Sequence, residues 1–175
     1  MGKDHRRRAK QGGNTLVEMA LVMVPFFALT LSIIELSVPI FLKCTFVDAV
    51  REGARYGVTF QTTYNGTSYG SQTAAIQAVV EANSMGFLNS SNASLITVQY
   101  LNSANNFAVV TGTGANADGN IVVVSVAGYN WNWINPINWF YGATRFSVTS
   151  SPLSISASTA DRLETLPIGA TRPSP

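Results

Sequence analysis

One long apolar segment dominates the pattern of hydrophobic and polar positions along this chain. Its uncharged core, residues 19–34, covers roughly 24 Å as an α-helix, and the apolar residues that continue to Leu42 add the length needed to reach the ~30 Å of a bilayer's hydrocarbon core. Glu18 and Glu35 stand at the two edges of the uncharged core. The pattern therefore predicts a transmembrane helix over residues 14–42.

The pattern beyond the apolar segment stays helical over residues 43–58. Small residues recur at every fourth position, at Ala49, Gly53 and Gly57, and such a stripe lets another backbone approach closely. Glycine inside a helix costs about 1 kcal/mol relative to alanine. We therefore expect a compensating contact with a neighbouring helix or with the domain's own sheet.

The same helix carries the charged residues Arg51, Glu52 and Arg55. We interpret them as a solvated face, with a weak ion pair between Glu52 and Arg55 three positions apart; a binding site is the alternative. From the small-residue stripe we expect Gly53→Leu to destabilise the protein or break its association with partner subunits. Gly53→Ala should be mild, and Glu52→Ala should have little effect.

The remainder of the chain reads as a small mixed domain. A polar, turn-rich loop is predicted over residues 59–72 and a helix over 73–86. Alternation of apolar and polar residues predicts strands, and these are 94–101, 107–111, 121–127, 145–148 and 153–158. Two helices followed by a run of strands predict an α+β fold. A long N-terminal transmembrane helix would extend into a small exported domain with a second helix and an antiparallel sheet.

This organisation divides the chain into four predicted parts. They are a basic leader at 1–13, a transmembrane helix at 14–42, an exported domain at 43–164 and a flexible tail at 165–175. Within the exported domain, 73–164 holds the second helix and the sheet.

Charge changes this picture by fixing an expected orientation. The formal net charge is +2, but the leader holds five basic residues and one acidic residue, so the remainder of the chain is net acidic. A basic cluster beside a membrane helix stays cytoplasmic, which predicts that the C-terminal part is exported. The basic residues outside the leader are too few and too scattered to predict nucleic-acid binding.

The residues that usually carry catalysis are scarce. His5 is the single histidine, and Cys44, the single cysteine, excludes an intramolecular disulfide and a thiolate zinc cluster. The sequence has no phosphate-binding glycine loop and no nucleophile–histidine set. We predict that the chain is not an enzyme and has no metal, no cofactor and no small-molecule substrate.

All three tryptophans fall in one segment, at Trp131, Trp133 and Trp139. Three interpretations remain open: packing onto the domain's own sheet, contact with a partner subunit or the membrane interface, and a sugar-stacking platform.

Two motifs together carry a family resemblance. The basic leader ends at Gly13, and NTLVEMALVMVPFFALTLSIIEL follows it; DAVREGARYG lies beyond the apolar segment. This combination resembles the TadE-like proteins, minor pilin-like components of tight-adherence (Flp-type) pilus systems. The resemblance covers residues 11–58 and is weaker at a closing strand near 156–164, and the motif includes Arg51, Glu52 and Arg55.

The resemblance implies a role for the junction. A prepilin peptidase would cleave between Gly13 and Asn14, and Glu18 would guide processing or pair with the free amine of a neighbouring subunit. Met19 departs from the pattern, since Flp pilins commonly carry an aromatic residue after the glutamate.

The function predicted on this basis is that of a minor pilin-like structural component in pilus assembly. It would sit in the bacterial inner membrane as a single-pass protein, with the prepilin peptidase, other pilin-like subunits and the assembly platform as partners. The alternative is a stably anchored envelope protein whose outer domain binds a ligand or a surface.

Overall fold

The computed structural model describes the backbone of residues 5–133, 151–166 and 169–175, and the side chains from residue 14 onward. The chain divides into two units, Met1–Val38 and Pro39–Pro175, and we call the second the C-terminal domain. The first helix, α1, covers His5–Val58 and contributes residues to both units.

The N-terminal part of α1 is apolar and exposed. Among the described residues, one helical stretch, Asn14–Val58, has the length and composition of a membrane span, with a mean hydropathy of 2.2 in its most apolar window and none of that window buried. Two hydroxyls in this part donate to carbonyls four residues earlier, Thr30 Oγ1 to Phe26 and Ser32 Oγ to Ala28. Those bonds satisfy the hydroxyls within the helix itself, as an apolar surrounding requires.

The described residues of the C-terminal domain add one helix and six strands to the end of α1. In chain order they are β1 Thr63–Tyr64, β2 Thr67–Ser68, α2 Gln72–Asn83, a 3-10 turn Ala93–Leu95, β3 Ile96–Asn102, β4 Ala108–Val110, β5 Ile121–Trp131 and β6 Leu153–Arg162. Strands β1 and β2 form a small hairpin, and the other four form an antiparallel sheet in the order β4-β3-β5-β6.

Local chemistry explains where α2 begins and ends. Ser71 caps its start, because the serine side chain accepts a hydrogen bond from the Ala74 amide at 3.2 Å. At the other end the backbone leaves the helix through two residues in the left-handed region, Met85 at φ 55° and Gly86 at φ 83°. Glycine takes that conformation at no steric cost, whereas methionine does not.

The core lies between the two helices and one face of the sheet. Alternate residues of β5, Val122, Val124 and Val126, are fully buried, as the period of two in a strand requires. Opposite them lie the buried apolar residues of the helices, which are Leu42, Phe46, Ala49, Val50 and Ala54 of α1 and Ala75, Ile76, Val79 and Val80 of α2. The other face of the sheet, with Thr97 and Gln99 on β3, is open to solvent.

The predicted α+β class, with a long N-terminal helix, a second helix and an antiparallel sheet, is confirmed. Strand β5 continues beyond the predicted residue 127, because a bulge between Val126 and Tyr129, with Gly128 at φ 78°, lets pairing resume. The last strand also extends further, to Arg162. The strand predicted at 145–148 lies outside the described residues.

The far end of the predicted tail contacts the rest of the C-terminal domain. The Ser174 carbonyl accepts a hydrogen bond from the Gln72 amide at 2.8 Å, and the Pro173 carbonyl accepts one from Asn116 at 3.0 Å. Arg172 forms an ion pair with Asp118. The end of the chain is therefore fastened to the start of α2, where free backbone amides at a helix N-terminus need acceptors.

Candidate functional site

The predicted processing junction lies within α1. The backbone of Gly13 and Asn14 is helical, and the side chains of Asn14 and Glu18 are exposed. Glu35, at the other edge of the uncharged core, is half-buried, and its Oε1 has no hydrogen-bond partner among the described residues. The two carboxylates of the apolar segment therefore differ in their surroundings, and Glu18 is the one open to a partner.

The small-residue stripe lies against the domain's own core. A Cβ built at Gly53 would stand 2.5 Å from Val80 Cγ2 of α2 and 3.6 Å from Val124 Cγ1 of β5. The first distance is shorter than any ordinary carbon–carbon contact. Ala49, one turn earlier, is fully buried. The absence of a side chain at Gly53 lets α1 approach α2 and the sheet at the same time.

Gly57 is also closely packed, but its surroundings could accommodate a methyl group more easily. A Cβ there would stand 2.9 Å from Ile76 Cδ1, the terminal methyl of a long side chain, and 3.7 Å from Val122 Cγ1. Because Gly53 lies against Val80 and Gly57 against Ile76, which precedes Val80 in the chain, α1 and α2 run antiparallel within the C-terminal domain.

The charged residues of the motif face solvent. Arg55 and Glu52 approach to 4.0 Å, with 82% and 51% of their side chains exposed, and Arg51 is exposed as well. An ion pair this exposed and this long contributes little to stability. Their position leaves them free to contact another molecule.

Sequence reasoning missed a buried polar network that joins distant parts of the domain. Gln72 is fully buried; its Nε2 donates to the Gly57 carbonyl at 2.5 Å, and its Oε1 accepts from Asn116 Nδ2 at 2.6 Å. Asn116 Nδ2 also donates to the Pro173 carbonyl. One glutamine thus links the end of α1, the start of α2, the loop before β5 and the end of the chain.

A tyrosine cluster lies beside this network and was likewise not predicted. The rings of Tyr56 and Tyr64 pack edge to face with centroids 5.9 Å apart, and the Tyr56 hydroxyl donates to the Thr63 carbonyl at 2.8 Å. Partial burial raises the pKa of Tyr56, and the neighbouring Tyr69 and Tyr64 raise it further. The phenol therefore stays protonated and keeps the β1–β2 hairpin attached to α1.

The predicted tryptophan segment is described only in part. Trp131 ends β5, pairs with Leu153 and is half-buried, and its Nε1 has no hydrogen-bond partner among the described residues. Trp133 is also half-buried, and Trp139 lies outside the described residues. The three interpretations of this segment stay predictions.

The described residues show no arrangement with the chemistry of a catalytic or metal centre. No group of three or more His, Cys, Asp or Glu side chains lies close enough to hold a metal within the described part of the chain. Cys44 is a free, exposed thiol. The features that stand out are structural: the junction at Gly13, the closely packed glycines and the exposed charges that follow them.

Comparison with known proteins confirms the resemblance drawn from the sequence. Residues 13–55 match the family model described as TadE-like protein. The TadE-like family is one of structural components of tight-adherence (Tad) pilus systems, and the matched residues make up about a quarter of the chain. No curated protein and no solved structure matches the chain significantly.

Proposed function

We propose, from the match of residues 13–55 to the TadE-like family, that this chain is a minor pilin-like structural component in the assembly of a tight-adherence pilus. The match is the observation that carries the proposal, because it includes both the junction at Gly13 and the charged motif that ends at Arg55. The exposed, apolar start of α1 supports insertion in a membrane as a single-pass protein. The basic leader supports a cytoplasmic N-terminus and an exported C-terminal domain.

In this role the chain sits in the bacterial inner membrane until it joins other pilin-like subunits at the assembly platform. A prepilin peptidase removes residues 1–13 on the cytoplasmic face and leaves Asn14 as the mature N-terminus. Glu18 lies four residues beyond Asn14, about one turn along α1, and its exposed carboxylate is placed to pair with the new amine of a neighbouring subunit. Arg51, Glu52 and Arg55 offer an exposed polar surface for contacts between subunits.

The processing step predicts that Gly13→Leu blocks removal of the leader, because the side chain next to the scissile bond becomes too large for the peptidase. The full-length protein would be expressed with and without a prepilin peptidase, and its N-terminal peptide identified by mass spectrometry. The wild type should begin at Asn14 only when the peptidase is present, whereas Gly13→Leu should keep residues 1–13.

Gly12→Leu is the matched control, since it adds the same side chain one position earlier and leaves the scissile bond flanked by glycine. It should be processed like the wild type. An intact leader on the wild type in the presence of an active peptidase would contradict the proposed function.

Replacing Glu18 with alanine or glutamine is expected to leave membrane insertion intact, because the change removes a charge that is costly to bring into a membrane. Pilus formation or processing should nevertheless fall, since the partner amine loses its counter-charge. Membrane fractionation measures the first effect, and shear fractions of surface pili measure the second.

Glu35→Gln is the control, because it neutralises the other carboxylate of the same segment. Normal pili with Glu18→Ala, or an equal loss with Glu35→Gln, would show that Glu18 has no specific role.

A further inference from the structure

The two ends of the C-terminal domain differ in chemistry. One end contains Phe41, whose ring packs edge to face on Phe87 with centroids 6.3 Å apart. Leu153, at the start of β6, lines a groove there together with Ile40 and Cys44. We call this the Phe41 end; the opposite end holds Gly57, Gln72 and the end of the chain.

Large apolar side chains are exposed at the Phe41 end. Met85 is 71% exposed, Ile40 65% and Phe41 49%, and Leu153 is partly exposed as well. These residues come from three separate elements at the same end of the domain: α1, the loop after α2, and β6. Several exposed apolar side chains at one end of a domain indicate a contact site.

Met85 is exposed although its backbone is strained. Its φ of 55° lies in the left-handed region, where glycine or asparagine is the usual residue at the end of a helix. Packing offsets little of this cost, because 71% of the surface of Met85 is exposed. Neither conformational preference nor burial explains a methionine here. Backbone strain that side-chain packing does not compensate points to a function.

Charge is distributed in the opposite way to the apolar patch. The sequence contains no charged residue between Glu81 and Asp118, and this stretch includes the whole loop after α2. At the Phe41 end the charged side chain among the described residues is Lys43, whose ammonium donates to the Ser156 carbonyl. Glu81, the nearest acidic residue along α2, lies a full turn before Met85.

The opposite end carries the acidic and basic side chains instead. Asp118 pairs there with Arg172, and Arg162 lies against Gly119, where its Nη2 would stand 3.3 Å from an added Cβ. The acidic and basic side chains therefore lie mainly at the opposite end, where Phe107 and Val109 are also exposed, whereas the Phe41 end combines exposed apolar side chains with one lysine. An apolar surface rimmed by a basic residue is the composition of segments that lie in a membrane interface.

We propose that the Phe41 end rests in the interfacial layer of the bilayer, with Met85 inserted among the lipid acyl chains. The inference rests on the proposed function, because it requires that α1 span the membrane. Ile40 and Phe41 end the apolar segment that would leave the bilayer, and the Phe41–Phe87 contact holds the loop after α2 at that level. The loop is then a second lipid contact that fixes the domain against the membrane surface.

Nitroxide labels on the full-length protein test this in nanodiscs of phosphatidylethanolamine and phosphatidylglycerol. In a Cys44→Ser background, single cysteines replace Met85, Phe27 of the apolar segment, and Asn105 of the exposed β3–β4 turn. Electron paramagnetic resonance compares collision with oxygen, which concentrates in lipid, and with a water-soluble nickel chelate. We expect the oxygen-to-nickel ratio of the Met85 label to be several-fold above that of the Asn105 label and closer to that of the Phe27 label.

The arms of the experiment separate the possible failures. A lipid-exposed Phe27 label with a water-exposed Met85 label overturns this inference and leaves the proposed function standing. A water-exposed Phe27 label overturns both. A Met85 label shielded from both reagents, with spin–spin coupling that disappears on dilution with unlabelled protein, identifies a second copy as the occupant and also overturns it. If Met85→Cys does not fold, Ser90→Cys in the same exposed loop gives the corresponding ratio.

Discussion

Gly53→Leu is expected to lower the stability of the C-terminal domain by roughly 3 kcal/mol or more, since overpacking a filled core costs about 1–3 kcal/mol and occasionally more. Even the first added carbon would stand 2.5 Å from Val80 Cγ2. Val80 is fully buried and β-branched, so its methyl cannot rotate away without meeting other core atoms. The gain in helix propensity, about 1 kcal/mol, is too small to compensate.

The structure also corrects the expectation that Gly53→Ala is mild. Alanine brings the same carbon to Val80, so a net loss of about 1–2 kcal/mol is expected, whereas Gly57→Ala should be close to neutral because the terminal methyl of Ile76 can move. Thermal unfolding of the full-length protein in detergent measures all three variants. A loss of 3 kcal/mol corresponds to a fall in Tm of roughly 6–12 °C in a chain of this size.

Glu52→Ala is the control on the solvated face of the same helix, and it should change stability by no more than about 0.5 kcal/mol. If Gly53→Leu melts at the wild-type temperature, α1 does not lie as close to α2 as the structure places it. In that event the presence of glycine at positions 53 and 57 would have to be explained by contacts with another molecule.

Gln72→Leu is the second substitution with a large expected effect, a loss of about 1–3 kcal/mol. Leucine fills a similar volume but removes two buried hydrogen bonds: the Gly57 carbonyl keeps only the Phe60 amide as a donor, and Asn116 Nδ2 keeps only the Pro173 carbonyl as an acceptor. Each such hydrogen bond contributes about 0.5–1.5 kcal/mol to stability. Because the Gln72 side chain also holds Asn116, which donates to the Pro173 carbonyl, protease sensitivity should rise near residues 172–175 before the domain unfolds.

Limited proteolysis followed by mass spectrometry, together with thermal unfolding, measures both parts of this prediction. Gln61→Leu makes the same chemical change at an exposed position and should leave both measurements unchanged. Wild-type stability in Gln72→Leu would mean that the network is supported from elsewhere.

The elements that the sequence predicted well are those with a local signal. The apolar run and the fourfold spacing of Ala49, Gly53 and Gly57 predicted α1, and the alternating valines predicted β5. A β-bulge at Gly128 extended β5 beyond its prediction, because a single glycine in a strand pattern does not say whether pairing stops or resumes.

The features that the sequence did not predict depend on residues far apart in the chain. Gln72 and Asn116 lie 44 positions apart, and neither stands out among the many polar residues of this domain. The left-handed Met85 was also missed, since the predicted helix continued to residue 86. The glycine stripe predicted a close contact, but only the structure names Val80 and Val124 as the partners.

The fastening of the chain end has a practical consequence for tagging this protein. The Pro173 carbonyl accepts a hydrogen bond from Asn116, and the Ser174 carbonyl accepts one from the Gln72 amide. A purification tag fused directly to Pro175 would therefore disturb the buried polar network around Gln72. The Asn65-Gly66 turn between β1 and β2 is exposed, and a Cβ added at Gly66 would meet no atom within 4 Å. An epitope inserted in that hairpin would leave both chain termini, and every contact that Gln72 makes, as they are.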